Sequence, residues 1–403
     1  MTGKIFTPAR SALRRLFVSA GDPSGDLLAA RLIERLKELA PDLEVWAVGG
    51  RELAGQSDVF LEDLASKGIM GFLEPVRRLP YLTRLGAKIK AVFAERNFDL
   101  AIPVDYYGFN IRVAQIAKKR AIPVIYYVCP QIWASREGRA RQLKKYVDRI
   151  LCLFPFEPAF LRKRGIEADF VGHPLVQSLR LAGLSGAAAS DGQAGGMTIG
   201  LLPGSRPQEI KRHLPVLISA FKFIRQQQPA ARAVLYSRPG LEKLYPGAES
   251  LRQEGIDVEP GPAWENRSRL TLALTASGLA TLENMVMGVP MVIFYGVKPA
   301  WVYWLGRRMI KTPFIGMPNI LAGKKIVPEI AWGMNESGNL RQAREIAASA
   351  LGLLNDKDRR DELKRQFANL AETLLGEHGN PVDAAAGLIM RALSGAPARV
   401  SHP

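Results

Sequence analysis

Cysteine and histidine are scarce in this chain, two and four in 403 residues. Cys129 and Cys152 lie in apolar runs, and His173, His213, His378 and His402 are scattered. That spacing excludes a disulfide framework and offers no zinc-ligand pattern. The thiols read as buried and free, in keeping with a reducing cytoplasm. A run of about 18 apolar residues, as a membrane span requires, is also missing. The basic start "MTGKIFTPARSALRRLFVSA" has one apolar run, which reads as the first strand rather than a signal peptide.

Acidic residues are the minority, 38 against 55 Lys and Arg, for a net charge of +17. The basic residues crowd into "RRLPYLTRLGAKIK" (77–90) and "REGRARQLKKYVDR" (136–149). Nucleic acid, an anionic membrane surface or anionic substrates would each account for this, and so would a solvated basic surface without a partner. No RNA- or DNA-binding motif is present, so nucleic acid is not expected.

What is present is ordinary globular composition, 47 % hydrophobic and 23 % charged, at a length that suggests two domains. Short apolar runs at 15–19, 44–48, 99–104, 122–128 and 149–154 read as buried strands, alternating with helical patterns such as 27–40 and 110–120. "LAGLSGAAASDGQAGGM" (181–197) has no apolar period and reads as a flexible linker. Strands follow at 197–203, 232–237, 270–276 and 290–296, with long helices at 207–227 and about 341–395. The expectation is α/β: two doubly wound parallel-sheet, Rossmann-like domains with a ligand cleft between them. The domains are taken as 1–180 and 198–345, and the C-terminal helices of about 345–395 are expected to pack back on the first.

Four stretches carry candidate chemistry. "VSAGDPSGDLLAARL" (18–32) lacks both the dinucleotide fingerprint and the P-loop pattern. Asp22 and Asp26 would repel a diphosphate and suit sugar hydroxyls better. Ser24 reads as the helix N-cap, and Gly21 and Gly25 either line a ligand site or serve a tight turn. "LLPGSRPQEIKRHL" (201–214) is a better phosphate cradle. Gly204 admits a close backbone approach, Ser205 can cap the helix, and Arg206 can fork onto a phosphate. A structural N-cap with an exposed Arg stands beside that reading. "TASGLATLENMVMG" (275–288) places Ser277 and Gly278 before a helix whose positive end favours a diphosphate, with Glu283 set to take both hydroxyls of a ribose. "AIPVDYYGFNIRVAQ" (101–115) puts Asp105 at the end of a buried strand, where it is either a general base for a sugar hydroxyl or a helix cap. Asn110 follows near the helix start, and Gln131, Trp133 and Arg136 gather at the next strand end.

Together "SAGDPSGD", "GIMGFLEPVRRL", "VDYYGFN", "PQIWA", "LFPFE", "VGHPLV", "LLPGSR", "ASGLATLE" and "MPNILAG" resemble, in order and spacing, the lipid-A-disaccharide synthase family of inverting GT-B glycosyltransferases. The resemblance implies transfer of 2,3-diacylglucosamine from its UDP donor to the 6-hydroxyl of 2,3-diacylglucosamine 1-phosphate (lipid X), with no metal and no cofactor. It implies Asp105 as general base. It places Arg206, Ser277, Gly278 and Glu283 on the UDP motifs, Asn319 on another functional motif, and Arg308 and Lys311 where they could neutralise the leaving diphosphate. Gly21, Asp22, Ser24, Gly25, Asp26, Asn110, Gln131 and Trp133 fall on the acceptor side. Acylated substrates imply peripheral contact with the cytoplasmic face of the inner membrane. "GIMGFLEPVRRLPYLTRLGAKIK" (68–90) and "AWVYWLGRRMIK" (300–311) have the composition of interfacial anchors, or else belong to the core. A homodimer is a further expectation. The sequence departs from the family's usual residues at Tyr107, Gly108, Ser135, Gln177 and Leu279. Two other readings therefore stand: a related UDP-sugar transferase with a different lipid acceptor, and a non-catalytic membrane-associated protein on the same fold.

Overall fold

The computed structural model describes residues 14–66, 79–134, 137–186, 197–298, 300, 312–334, 340–376 and 379–394. Two parallel sheets organise two units. The first has seven strands in the order β3-β2-β1-β4-β5-β6-β7. These are β1 (Arg14–Ala20), β2 (Leu43–Gly49), β3 (Val59–Asp63), β4 (Leu100–Val104), β5 (Ile125–Tyr127), β6 (Arg149–Cys152) and β7 (Ala168–Phe170). The second has six in the order β10-β9-β8-β11-β12-β13. These are β8 (Thr198–Leu202), β9 (Arg232–Ser237), β10 (Ile256–Pro260), β11 (Leu272–Ala276), β12 (Met291–Val297) and β13 (Glu329–Gly333).

The central strands are largely apolar because both faces of each sheet are covered. On β1, Phe17 packs into one core with Phe93 and Phe98, while Leu16 and Val18 pack into another with Ile33 and Ile389. Strand order reverses between β1 and β4, and again between β8 and β11. Loops diverge there, and open α/β sheets bind ligands at such switch points. The register pairs Ala20 with Val104 and Leu202 with Thr275. Gly21 therefore leaves the first sheet beside Asp105, and the Gly204 turn leaves the second beside Ser277.

The second unit comprises Trp133–Glu137 and His173–Gly379, so the helix Pro174–Leu181 belongs to it rather than to the first domain. The expected C-terminal helical stretch is three helices: Leu340–Asn355, Lys357–Thr373 and Pro381–Leu393. Asp356 caps the second of them by accepting from Arg359 N–H at 2.8 Å, and Asn380 caps the third. The first two stay with the second unit, and only Pro381–Leu393 joins the first. There Arg35 Nε donates to Asp383 at 2.5 Å.

The segment 187–196 of the expected linker lies outside the described residues, as do 68–78 and 301–311 of the expected anchors. Within the helix Leu79–Glu95, Leu82, Leu85, Ile89 and Phe93 are buried in the first unit's core, so Leu82 is a core residue and not an anchor. Leu79, Arg84, Lys88 and Lys90 are exposed. No helix among the described residues is long and apolar enough to cross a membrane.

Candidate active site

At the carboxyl end of β4 the backbone takes an unusual path. Asp105 (φ 48°) and Tyr106 (φ 42°) are consecutive non-glycine residues in the left-handed region, a conformation that costs about 1–2 kcal/mol for each. Its neighbours hold it there. Asp105 N–H donates to Tyr127 O at 2.9 Å. Asp105 O accepts from Asn110 Nδ2 at 2.9 Å and from the buried Tyr126 hydroxyl. The half-buried carboxyl accepts one bond, from Tyr106 N–H at 2.8 Å. Burial, and then the charge of Asp22, push its pKa up to about 6, against the opposing Tyr106 N–H. The result is a carboxylate more basic than usual, on a strained and fully braced backbone, at a switch point.

The opening loop wraps this residue. A Cβ on Gly21 would lie 2.0 Å from the Tyr106 ring, and one on Gly25 would lie 3.6 Å from Asp105 Cβ. Close packing therefore requires the glycine at 21, whereas a Cβ at Gly25 would make only ordinary contacts. Asp22, not Ser24, is the N-cap of the helix Pro23–Leu39, accepting from Gly25 N–H at 2.7 Å; Ser24 is exposed. Asp26 turns away from the site. It is buried and accepts from the N–H groups of Gly50 (2.6 Å), Glu52 (3.0 Å) and Leu53 (3.3 Å), so its carboxylate caps the helix Arg51–Gln56 instead of meeting a sugar. Asn110 is likewise consumed by the protein. Its Nδ2 donates to Ser19 O (3.2 Å), Val104 O (2.8 Å) and Asp105 O, and its Oδ1 accepts from Ser19 Oγ at 2.8 Å. It is the clamp between β1 and β4, not an acceptor contact. Gln131 is exposed, Trp133 is buried, and Arg136 lies outside the described residues.

In the second unit, β8 leads through Gly204 (φ 115°) into the helix Pro207–Gln227. Ser205 does not cap it. Arg206 holds the cap position, and the Glu209 carboxylate accepts from both Ser205 N–H and Arg206 N–H at 3.2 Å. The turn expected to cradle a phosphate is therefore occupied by its own glutamate, whose Oε1 also lies 3.5 Å from Nη1 of the exposed Arg206 guanidinium. The other turn is open. Gly278 (φ 155°) precedes the helix Leu279–Val286, which has no side-chain cap, and Gly278 and Leu279 are exposed. Unbonded N–H groups at such an end attract anions. Ser277 is turned inward, its hydroxyl donating to Ile315 O at 2.5 Å. Asn319 is wholly buried: its Oδ1 accepts from Ile326 N–H (2.7 Å) and Val327 N–H (2.9 Å), and its Nδ2 donates to Val327 O (3.0 Å). These bonds hold its side chain to the loop before β13. Arg308 and Lys311 lie outside the described residues.

Glu283 is nearly buried, and its partners were not legible in the sequence. Arg267 Nη1 donates to one oxygen at 2.8 Å and Trp264 Nε1 to the other at 3.2 Å. His213 was missed too. Its Nδ1 faces Pro203 O at 2.8 Å, and its Nε2 accepts from Gly296 N–H at 3.1 Å, tying the Gly204 turn to β12. Burial holds it neutral, below the usual histidine range. Glu329 ties Ile315 N–H and Gly316 N–H at 2.9 Å each. Cys129 and Cys152 are free and buried, and their sulfurs lie with the Glu157 carboxylate within 4.8 Å of one another. A thiol–thiol hydrogen bond and burial push the Cys129 thiol far up, and burial raises that of Cys152.

A family model described as lipid-A-disaccharide synthetase (LpxB) matches residues 16–377. The lipid-A-disaccharide synthase of Myxococcus xanthus is 38% identical over 333 residues, 79% of this chain and 84% of that protein. That of Alkalilimnicola ehrlichii is 34% identical over 388 residues, 93% and 99% of the two chains. Among solved structures, the UDP-GlcNAc 2-epimerase of Neisseria meningitidis bound to UDP-GlcNAc superposes with a TM-score of 0.61 at 13% identity, covering 94% of this chain and 100% of that one. A UDP-glucosyltransferase from Polygonum tinctorium gives 0.60 at 13%, covering 96% and 100%. At such identities the structural likeness carries the fold, which is GT-B, and the sequence relatives carry the rest: the chain is an enzyme of the lipid-A-disaccharide synthase family of glycosyltransferases.

Proposed function

We propose that the chain transfers 2,3-diacylglucosamine from UDP-2,3-diacylglucosamine to the 6-hydroxyl of 2,3-diacylglucosamine 1-phosphate, with inversion, giving a β-1,6 disaccharide 1-phosphate and UDP. The observation that carries this reading is Asp105: a carboxylate with a pKa of about 6 on a braced, left-handed backbone at a switch point. It is ionised at neutral pH and basic enough to accept the hydroxyl proton as the bond forms. The 6-oxygen attacks C1 from the face opposite the diphosphate. The C1–O bond to UDP breaks, its electron pair leaves with UDP, and the proton stays on Asp105.

The donor belongs to the second unit in this reading. Glu283 takes the ribose hydroxyls, while the open end of the helix Leu279–Val286 and Arg206 take the diphosphate. Arg308 and Lys311 would offset the charge of the departing UDP. The names of the curated relatives and of the UDP-sugar-bound neighbour support the substrate class. The acyl chains imply peripheral binding at the cytoplasmic face of the inner membrane, with Leu79, Arg84, Lys88 and Lys90 as described contacts, and the chain is expected to work as a homodimer. A different lipid acceptor is favoured by one observation: Gly108, exposed and with nothing within 4 Å of a Cβ there, stands where the family pattern usually has an acid.

The test is to incubate the protein with both substrates in detergent, without added metal. Mass spectrometry should find the disaccharide phosphate, and the new linkage should be β by NMR. UDP binding without product would move the search to other acceptors. Cosedimentation with anionic vesicles at low salt tests the membrane contact, which fails if the protein stays in the supernatant.

A further inference from the structure

Arg267 is 3 % exposed, at the end of the short helix Trp264–Arg267. Its guanidinium is shared among three acceptors. Nη1 donates to Glu283 Oε2 at 2.8 Å and to Pro262 O at 3.3 Å, and Nη2 donates to Asn284 Oδ1 at 2.7 Å. Trp264, on the same helix, donates its indole N–H to Glu283 Oε1. Each oxygen of the carboxylate thus has one fixed donor, and both donors come from the four-residue segment 264–267. A carboxylate oxygen accepts at two positions, so each keeps one for a ligand. Two donors also fix the plane of the group, and a vicinal diol needs two acceptors side by side in a fixed plane.

A buried ion pair is a poor source of stability, because desolvation offsets much of the attraction. What this one supplies is orientation. The planar fork links the carboxylate to the carbonyl of Pro262, beside the left-handed Ala263 (φ 39°), so the loop after β10 and the helix carrying Glu283 are held as one piece.

We infer that Arg267 is a positioning residue for the nucleoside half of the donor: it holds the Glu283 carboxylate in the orientation that receives the ribose 2′- and 3′-hydroxyls. This rests on the reading of Glu283 as the ribose contact. Calorimetric affinities for UDP and 2′-deoxy-UDP test it, in wild type, Glu283→Ala, Arg267→Met and Arg267→Lys. Wild type should prefer UDP by about tenfold or more, as one charge-assisted hydrogen bond gives. Glu283→Ala and Arg267→Met should bind the two nucleotides almost equally. Lysine keeps the charge but cannot fork, so Arg267→Lys should lose most of the preference and raise the donor KM, with kcat at saturating donor little changed. The double variant should be no worse than either single one. If Arg267→Met does not fold, Arg267→Lys decides. A folded Arg267 variant that keeps the wild-type preference, while Glu283→Ala loses it, overturns the inference alone. A wild type with no preference overturns the reading of Glu283, and the inference with it.

Discussion

Replacing Asn110 with Asp changes one NH2 group to oxygen at nearly constant volume, and the geometry dictates a pH-dependent penalty. The wild-type Nδ2 donates to three carbonyls, Ser19 O, Val104 O and Asp105 O, in a fully buried position. In Asn110→Asp a protonated carboxyl can satisfy one of them, which leaves a loss of about 1–3 kcal/mol even at low pH. An ionised carboxylate would face carbonyl oxygens in a dry site, so the folded-state pKa must rise, by about 3 units or more. The folded variant then binds more protons than the unfolded chain, and stability falls as pH rises. The slope is about 1.4 kcal/mol per pH unit, from the unfolded value near 4 up to the folded pKa. By pH 7 the added loss reaches about 4 kcal/mol, a large part of the roughly 5–15 kcal/mol that holds a domain. Urea unfolding of wild type, Asn110→Asp and Asn110→Ala at pH 5, 6 and 7 measures it. The alanine variant should lose a constant amount and the aspartate variant a growing one. A pH-independent loss in Asn110→Asp would refute the clamp.

Other expectations follow from the same geometry. Below pH 6 the rate should fall as Asp105 takes up a proton, and Asp22→Asn, by removing the neighbouring charge that raises Asp105, should move that acid limb to lower pH in a kcat/KM profile. Gly21→Ala places a Cβ 2.0 Å from the Tyr106 ring and should cost most of the activity, while Gly108→Ala meets nothing within 4 Å and should cost little; paired turnover assays check this. Burial lowers the pKa of His173 to about 4, so the folded state excludes a proton that the unfolded chain binds. That stability is present above about pH 6.5 and is lost as pH falls towards 4, about 3 kcal/mol in all; unfolding at pH 7 and pH 4.5, with His173→Asn as comparison, should show the loss shrink in the variant.

The sheets were legible where they are buried and illegible at their rims. β3, β7, β10 and β13 are the edge strands of the two sheets, and none stands out in the sequence. "VFLED" and "IDVEP" mix acidic residues into short, incompletely buried runs, and β7 is three residues long. The central strands announce themselves because both faces must be apolar. The same split runs through the site. The sequence places Asp105, Gly21 and Gly278 at strand ends and Glu283 in the helix that follows Gly278, because strand–turn–helix patterns are local. It cannot tell a polar side chain aimed at a ligand from one spent on the backbone, because the carbonyls that consume Asn110 and the N–H groups that consume Asp26 and Asn319 are brought up by tertiary structure. Arg267 and His213 were hidden for that reason: their partners lie elsewhere in the chain.

The central claim is that Asp105 takes the acceptor proton while leaving the donor site untouched. Measuring kcat and the UDP dissociation constant for Asp105→Asn tests it most directly. The variant keeps a similar shape without the basic oxygen, so turnover should fall by about 10²-fold or more, as expected on losing a general base, with UDP affinity essentially unchanged. Near-wild-type turnover in a folded Asp105→Asn protein would contradict it.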